Sequence, residues 1–93
     1  MIRSFADKYT KQLFCDGAFK SCPADVRARA LRKLDMIDNA NRLSDLNTPP
    51  GNRLHALTGD RFGQYAISVN DQWRICFRFD GHDVFDVEFC DYH

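Results

Sequence analysis

Asp91, Tyr92 and His93 stand in a row directly after the alternating run FDVEFC. A carboxylate, a phenol and an imidazole can hydrogen-bond or move protons near neutral pH. Upstream lie a second imidazole at His55 and a guanidinium at Arg74, whose planar fork suits two oxygens of one anion. If these side chains meet, they suit an anion or a nucleotide. Cys15, Cys22, Cys76 and Cys90 form no C-x-x-C and have no histidine at ligand spacing. No acidic cluster shows metal-ligand spacing either, so the expectation is chemistry without a metal or cofactor, and two-metal phosphodiester cleavage is disfavoured.

The elements that must position these residues are read from periodicity. Met1–Ala6 alternates weakly and reads as a short first strand. DKYTKQLFCDG reads as a short helix, with Asp7 as N-cap and Gly17 just past its end. SCPADVRARALRKLDMIDNAN carries the strongest helical signal: Pro23 fits the first turn, and Val26, Ala30, Leu34 and Ile37 build one apolar stripe. Arg27, Arg29, Arg32 and Lys33 lie mostly off that stripe, as a solvated face or as a contact for a phosphate-rich partner.

Pro49, Pro50 and Gly51 break the helical pattern, and the chain beyond them reads as β. Strands are expected at Arg53–Leu57, at Gln64–Val69, along WRICFRF and through Phe85, Val87 and Phe89, with TGDRFG, Asn70-Asp71 and Asp80-Gly81 as turns. His82, in DGHD, reads as a turn residue. Such short connections imply an antiparallel meander. Trp73, Ile75, Phe77 and Phe79 share one face, and Phe85, Val87 and Phe89 are expected to join it. The opposite face gathers Arg74, Cys76 and Arg78, then Asp86, Glu88, Cys90 and Tyr92, with Gln64, Ala66, Ser68 and His55 as neighbours. Asp91 and His93 fall at its rim, and parity turns Asp91 away from Tyr92. An ordinary antiparallel sheet with one solvated face would show the same alternation. The fold class is α+β: a small twisted antiparallel sheet, made of an N-terminal strand plus a C-terminal four-strand meander, packed against two N-terminal helices.

Ninety-three residues, 44% hydrophobic and 28% charged, suit one domain spanning 1–93 with a modest core. No apolar run approaches a membrane span, and Met1-Ile2-Arg3 opens no signal peptide, so the expected location is cytoplasmic with reduced thiols. The net charge of +0 hides a polarity. Residues 1–64 hold 11 Lys/Arg against 7 Asp/Glu, a net of +4, whereas residues 65–93 hold 2 against 6, a net of −4. A uniformly basic nucleic-acid binder is excluded; a local basic surface is not.

PPGNRLHALTGDR, ISVNDQWR and DYH, spread over nearly the whole chain, resemble the HigB group of bacterial toxins within the RelE/ParE superfamily. The resemblance implies a RelE/ParE-like fold and a ribosome-dependent mRNA endonuclease that inhibits translation. It also implies a HigA-like helix-turn-helix antitoxin, in a heterotetramer of two toxins and two antitoxins. His55, Arg74, Asp91, Tyr92 and His93 match the family's functional positions. Where the family often carries a basic residue two to three positions after the histidine, this chain has Thr58, which leaves Arg61 or Arg53 to supply the charge.

RNA offers a metal-free route in which its 2′-OH attacks the adjacent phosphate. Arg74 is then assigned to the phosphate, His55 and His93 to acid–base work in either order, Asp91 to orienting an imidazole, and Tyr92 to donating or stacking. Arg27, Arg29, Arg32 and Lys33, with Arg53, Arg61 and Arg78, are the expected RNA and ribosome contacts. Two other readings stay open: a ParE-like inhibitor of DNA gyrase, which needs no acid–base set, and a plain binding module.

Overall fold

The computed structural model describes residues 1–20 and 22–91. Helix α1 spans Lys8–Asp16; Asp7 caps it by accepting from the Thr10 backbone N–H at 2.7 Å, a contribution of about 1 kcal/mol. It ends where Gly17 takes φ 84° and returns its N–H to the Leu13 carbonyl. Helix α2 spans Ala24–Asn39, with Pro23 at the N-cap and Val26, Ala30, Leu34 and Ile37 all buried, as their spacing requires. No described helix is long and apolar enough to cross a membrane. Two short 3₁₀ turns, Leu43–Asn47 and Pro50–Asn52, then lead into the sheet.

Strands β1 (His55–Ala56), β2 (Tyr65–Ser68), β3 (Trp73–Asp80) and β4 (Asp83–Asp91) form an antiparallel meander in the order β1-β2-β3-β4. The connection between β2 and β3 is tied by Asn70, whose side-chain oxygen accepts from the backbone N–H groups of Gln72 and Trp73. Ile67, Ile75, Phe77, Val84, Val87 and Phe89 bury one face beneath the helices. Trp73 stacks on Phe89 with ring centres 4.6 Å apart. Thr10 locks α1 to this layer by accepting from the Phe89 backbone N–H.

Two strand expectations change. The N-terminal segment runs parallel to β4 but bridges it at Ile2↔Val84 and Phe5↔Val87 alone, not as a continuous strand. Between those bridges the ladder is broken: Asp86 adopts φ 55° and gives its backbone N–H to the Ser4 hydroxyl, while the Ile2 N–H turns to the Asp38 carboxylate. The same Asp86 makes a β-bulge, because Cys76 pairs with Glu88 and Arg78 with Phe85, leaving Asp86 and Val87 opposite Phe77. The extra residue inverts the alternation beyond it. Val84 therefore occupies the core in place of the expected Phe85, which is half-buried opposite Arg78.

Candidate active site

Cross-strand register assembles the second face in two rows. His55 pairs with Ala66, Ala66 with Cys76 and Cys76 with Glu88; beside that row, Ser68 pairs with Arg74 and Arg74 with Cys90. Two strand spacings across and two residues along separate the His55 and Arg74 backbones by roughly 12 Å. Their side chains share a face.

The floor of this face is not the solvated surface that alternation alone allows. Ala66 and Cys76 are fully buried, and with Leu57 and Cys90 they make a small apolar cluster. The 3₁₀ turn Gly59–Arg61 brings Arg61 to the cluster, where it pairs with Glu88 at 3.0 Å and donates to Gln64. Burial opposes the charge on Arg61, but the Glu88 hydrogen bond and the nearby cysteines more than compensate, so its pKa is raised. Arg61 is thus held at the edge of the cluster by Glu88 and Gln64. Arg78 is similarly engaged with Asp86 at 3.1 Å.

His55 is exposed, and its Nδ1 lies 2.7 Å from the Arg53 carbonyl oxygen. A carbonyl only accepts, so Nδ1 carries the proton of the neutral ring and Nε2 holds the lone pair. That carbonyl is aimed by an unusual backbone: Arg53 sits in the left-handed region at φ 50°, ψ 47°, at a cost of about 1–2 kcal/mol for a residue with a side chain. The conformation is held by Asn52, which is fully buried. Its amide donates to the carbonyls of Leu46 at 3.1 Å and Thr48 at 3.3 Å, and its oxygen accepts from Lys33 Nζ. Sequence reading missed Asn52. The PPGN turn signal pointed to the segment, but an asparagine there reads as exposed.

Lys33 also belongs to a basic cleft of about 250 Å³ lined by Arg29, Arg32, Met36, Gly51, Ser68 and Val69. A second hollow of about 170 Å³ adjoins it and adds Arg53, Asn70 and Asp71 to the shared Arg29, Gly51, Ser68 and Val69. Partial burial, then the like charges of Arg29 and Arg32, lower the Lys33 pKa. The cleft thus concentrates positive charge, and an anion there relieves the repulsion. Ser68 links the cleft to the Arg74 row. Arg27 is half-buried and lines neither hollow.

The remaining terminal residues divide. Asp91 pairs with Trp73 across the ladder, which puts it on the helix-side face, and accepts from Gln72 at 3.3 Å. Tyr92 and His93 lie outside the described residues. Among those described, no group of three or more His, Cys, Asp or Glu residues is arranged to hold a metal ion.

Comparison with known proteins places this architecture. Residues 3–93 match the family model described as the RelE-like toxin of the type II toxin–antitoxin system HigB. The chain is 39% identical over 93 residues to Endoribonuclease HigB of Proteus vulgaris, covering 100% of both chains. It is 37% identical to Toxin HigB-1 of Vibrio cholerae over 84% of this chain and 83% of that one. A solved YoeB/ParE toxin from Agrobacterium tumefaciens superposes with a TM-score of 0.47 at 18% identity, covering 94% of this chain and 91% of the other. The chain belongs to the HigB-like family of RelE-like toxins from type II toxin–antitoxin systems.

Proposed function

We propose that this toxin is an endoribonuclease that cleaves messenger RNA on the ribosome by attack of the RNA's own 2′-OH. The observation that carries the reading is His55, held in the Nδ1-protonated tautomer on the same sheet face as Arg74. The name of the Proteus vulgaris relative supports the same activity.

His55 Nε2 takes the proton of the 2′-OH, and the oxygen attacks phosphorus. The phosphorus–O5′ bond breaks, and the leaving O5′ accepts a proton from His93. The products are a 2′,3′-cyclic phosphate and a 5′-OH. Positioned acid and base groups each contribute about 10²–10⁴-fold. Arg74 binds the non-bridging oxygens as charge builds on them, in place of the basic residue absent at Thr58. Tyr92 donates to the phosphate or stacks on a base. Asp91 acts on the neighbouring imidazole from the strand end and does not reach the phosphate directly.

The basic cleft supplies the docking surface. Arg29, Arg32, Lys33 and Arg53 face ribosomal RNA, and Arg27 extends the contact along α2. A HigA-like helix-turn-helix antitoxin restrains the toxin in a two-plus-two assembly. Primer extension on purified translating ribosomes tests the reading. The intact chain gives discrete cuts, and His55→Gln and Arg74→Ala lose them while remaining folded. An intact chain that makes no cuts but blocks DNA supercoiling by gyrase overturns it.

A further inference from the structure

The floor of the candidate site contains a pair of thiols that the cleavage chemistry does not use. Cys90 Sγ lies 3.5 Å from Cys76 Sγ and donates to it, within a cluster sealed by Ala66 and Leu57. The two residues are diagonal neighbours across β3 and β4, since Cys76 pairs with Glu88 and Cys90 with Arg74. The hydrogen bond from Cys90 lowers the Cys76 pKa to about 7 against the opposing effect of burial, and Arg74 and Arg61 add to the lowering. Cys90 is pushed upward by the same hydrogen bond and by burial. The donated hydrogen bond and the Arg74 and Arg61 charges favour the thiolate at Cys76 over Cys90, a division of roles that suits a reactive and a resolving cysteine.

We propose that Cys76 and Cys90 form a reversible disulfide on exposure to hydroperoxides, and that this closure lowers the toxin's activity. The Cys76 thiolate attacks the peroxide, forming a sulfur–oxygen bond and breaking the oxygen–oxygen bond; the departing oxygen takes a proton. Cys90 Sγ then attacks the Cys76 sulfenic acid. The sulfur–sulfur bond forms, the sulfur–oxygen bond breaks, and the hydroxyl leaves as water with the Cys90 proton. Two thiols lose two electrons and two protons, and the hydroperoxide is reduced to water, or to water and an alcohol.

Access comes through the edge of the sheet. Strand β4 is the outermost strand, and the N-terminal segment bridges it no further than Val87. Opening of the 88–91 end exposes both sulfurs; it frees Phe89 from Trp73 and from the Thr10 hydroxyl while the rest of the core stays packed. Diagonal neighbours stand about 7 Å apart at Cα, at the long end of disulfide geometry, so closure must draw the two strands together. Arg74 is the cross-strand partner of Cys90 and moves with it.

The test treats the full-length reduced chain with hydrogen peroxide and maps the products by mass spectrometry after non-reducing digestion. The expected result is the loss of two hydrogens, with Cys76 and Cys90 in one linked fragment. Ribosome-dependent cleavage falls on the order of tenfold to a hundredfold, as for an ångström-scale misplacement, and dithiothreitol restores it. Cys90→Ser and, separately, Cys76→Ala retain basal cleavage and lose the response. Oxidation confined to the exposed Cys15, with no linked fragment, overturns the proposal, as does a linked fragment with unchanged cleavage. The nuclease reading fails separately, through absence of cuts by the reduced chain. In that case the linkage is judged by the fragment map, and the activity arm by whichever toxic assay the reduced chain satisfies.

Discussion

The two faces of the sheet are built on different principles. On the helix side, Ile67, Ile75, Phe77, Val84, Val87 and Phe89 interlock with Leu13, Val26, Ala30, Leu34 and Ile37. Each is supported by many others, and identity is set by volume. On the second side the buried apolar residues among those described are Leu57, Ala66, Cys76 and Cys90, and the organisation comes from specific polar pairs such as Arg61–Glu88 and His55–Arg53. The first face is the source of stability. The second is where we propose the chemistry, and its exposed side chains can be replaced at modest cost to folding. Substitution should therefore separate the two faces cleanly.

The largest effect is expected on the helix side. Phe77→Ala should destabilise the fold by about 3–5 kcal/mol, read by thermal or urea melting, because a fully buried ring leaves a cavity that its neighbours cannot fill. Arg74→Ala should lower ribosome-dependent cleavage by roughly 10²–10³-fold, about 3–4 kcal/mol of transition-state stabilisation, with a melting temperature close to that of the parent. Equal losses of stability from both substitutions would erase the distinction between the faces.

Asn52 crosses that division, since it is buried like a core residue and acts on the second face. Asn52→Ala should cost about 1–3 kcal/mol by leaving the Leu46 and Thr48 carbonyls without their donor. It should also loosen the Arg53 carbonyl that sets the His55 tautomer. NMR of the imidazole nitrogens should then show a mixture of tautomers in the variant and one in the parent.

Which parts of this division are legible in the sequence depends on how local each cause is. The stripe Val26, Ala30, Leu34, Ile37 and the alternation of Trp73, Ile75 and Phe77 are local patterns, and both faces of β3 come out as read. Parity also places Asp91 opposite Tyr92's expected side, as its pairing with Trp73 bears out for Asp91 itself. Phe85 fails because Phe85, Val87 and Phe89 alternate perfectly. The inversion comes from the left-handed backbone at Asp86, anchored by Ser4 from the far end of the chain. The cleft is half legible: Arg29, Arg32 and Lys33 are one helix face, but Gly51, Arg53 and Ser68 reach it through tertiary packing. Burial of the second face is less legible, because Ala66 is too small to signal a core and a cysteine is buried as a small hydrophobe on either face.

The thiol pair gives the second face a pH signature. The Cys76 pKa falls from 9.0 to about 7 on folding, so between those values the unfolded chain binds more protons. Stability should rise by about 1–2 kcal/mol from pH 7 to 9, the contribution being lost as pH falls through 7, and should fall again above 9, where the unfolded Cys90 thiol ionises and the folded one keeps its proton. Urea melts across that range check it. In Cys90→Ser a hydroxyl replaces the thiol that donates to Cys76, so the rise should change in size; in Cys76→Ala it should vanish. A rise that survives in Cys76→Ala assigns the effect to another group.

The smallest effect concerns the bulge where the faces exchange parity. Asp86 combines a left-handed backbone with a half-exposed ion pair to Arg78, and substitution separates the two contributions. Asp86→Asn keeps a side chain that tolerates φ 55° and removes the charge, so it should cost only about 0.2–1 kcal/mol, less at high salt. Asp86→Gly removes the same charge but also relieves the backbone strain, which is worth about 1 kcal/mol or more against the pair. Glycine should therefore equal or exceed the parent in melting temperature, and asparagine should fall slightly below it. If glycine falls as far below the parent as asparagine, relief of the backbone adds nothing, the bulge is held by the ion pair that both variants lose, and the exchange of Val84 for Phe85 in the core rests on Arg78.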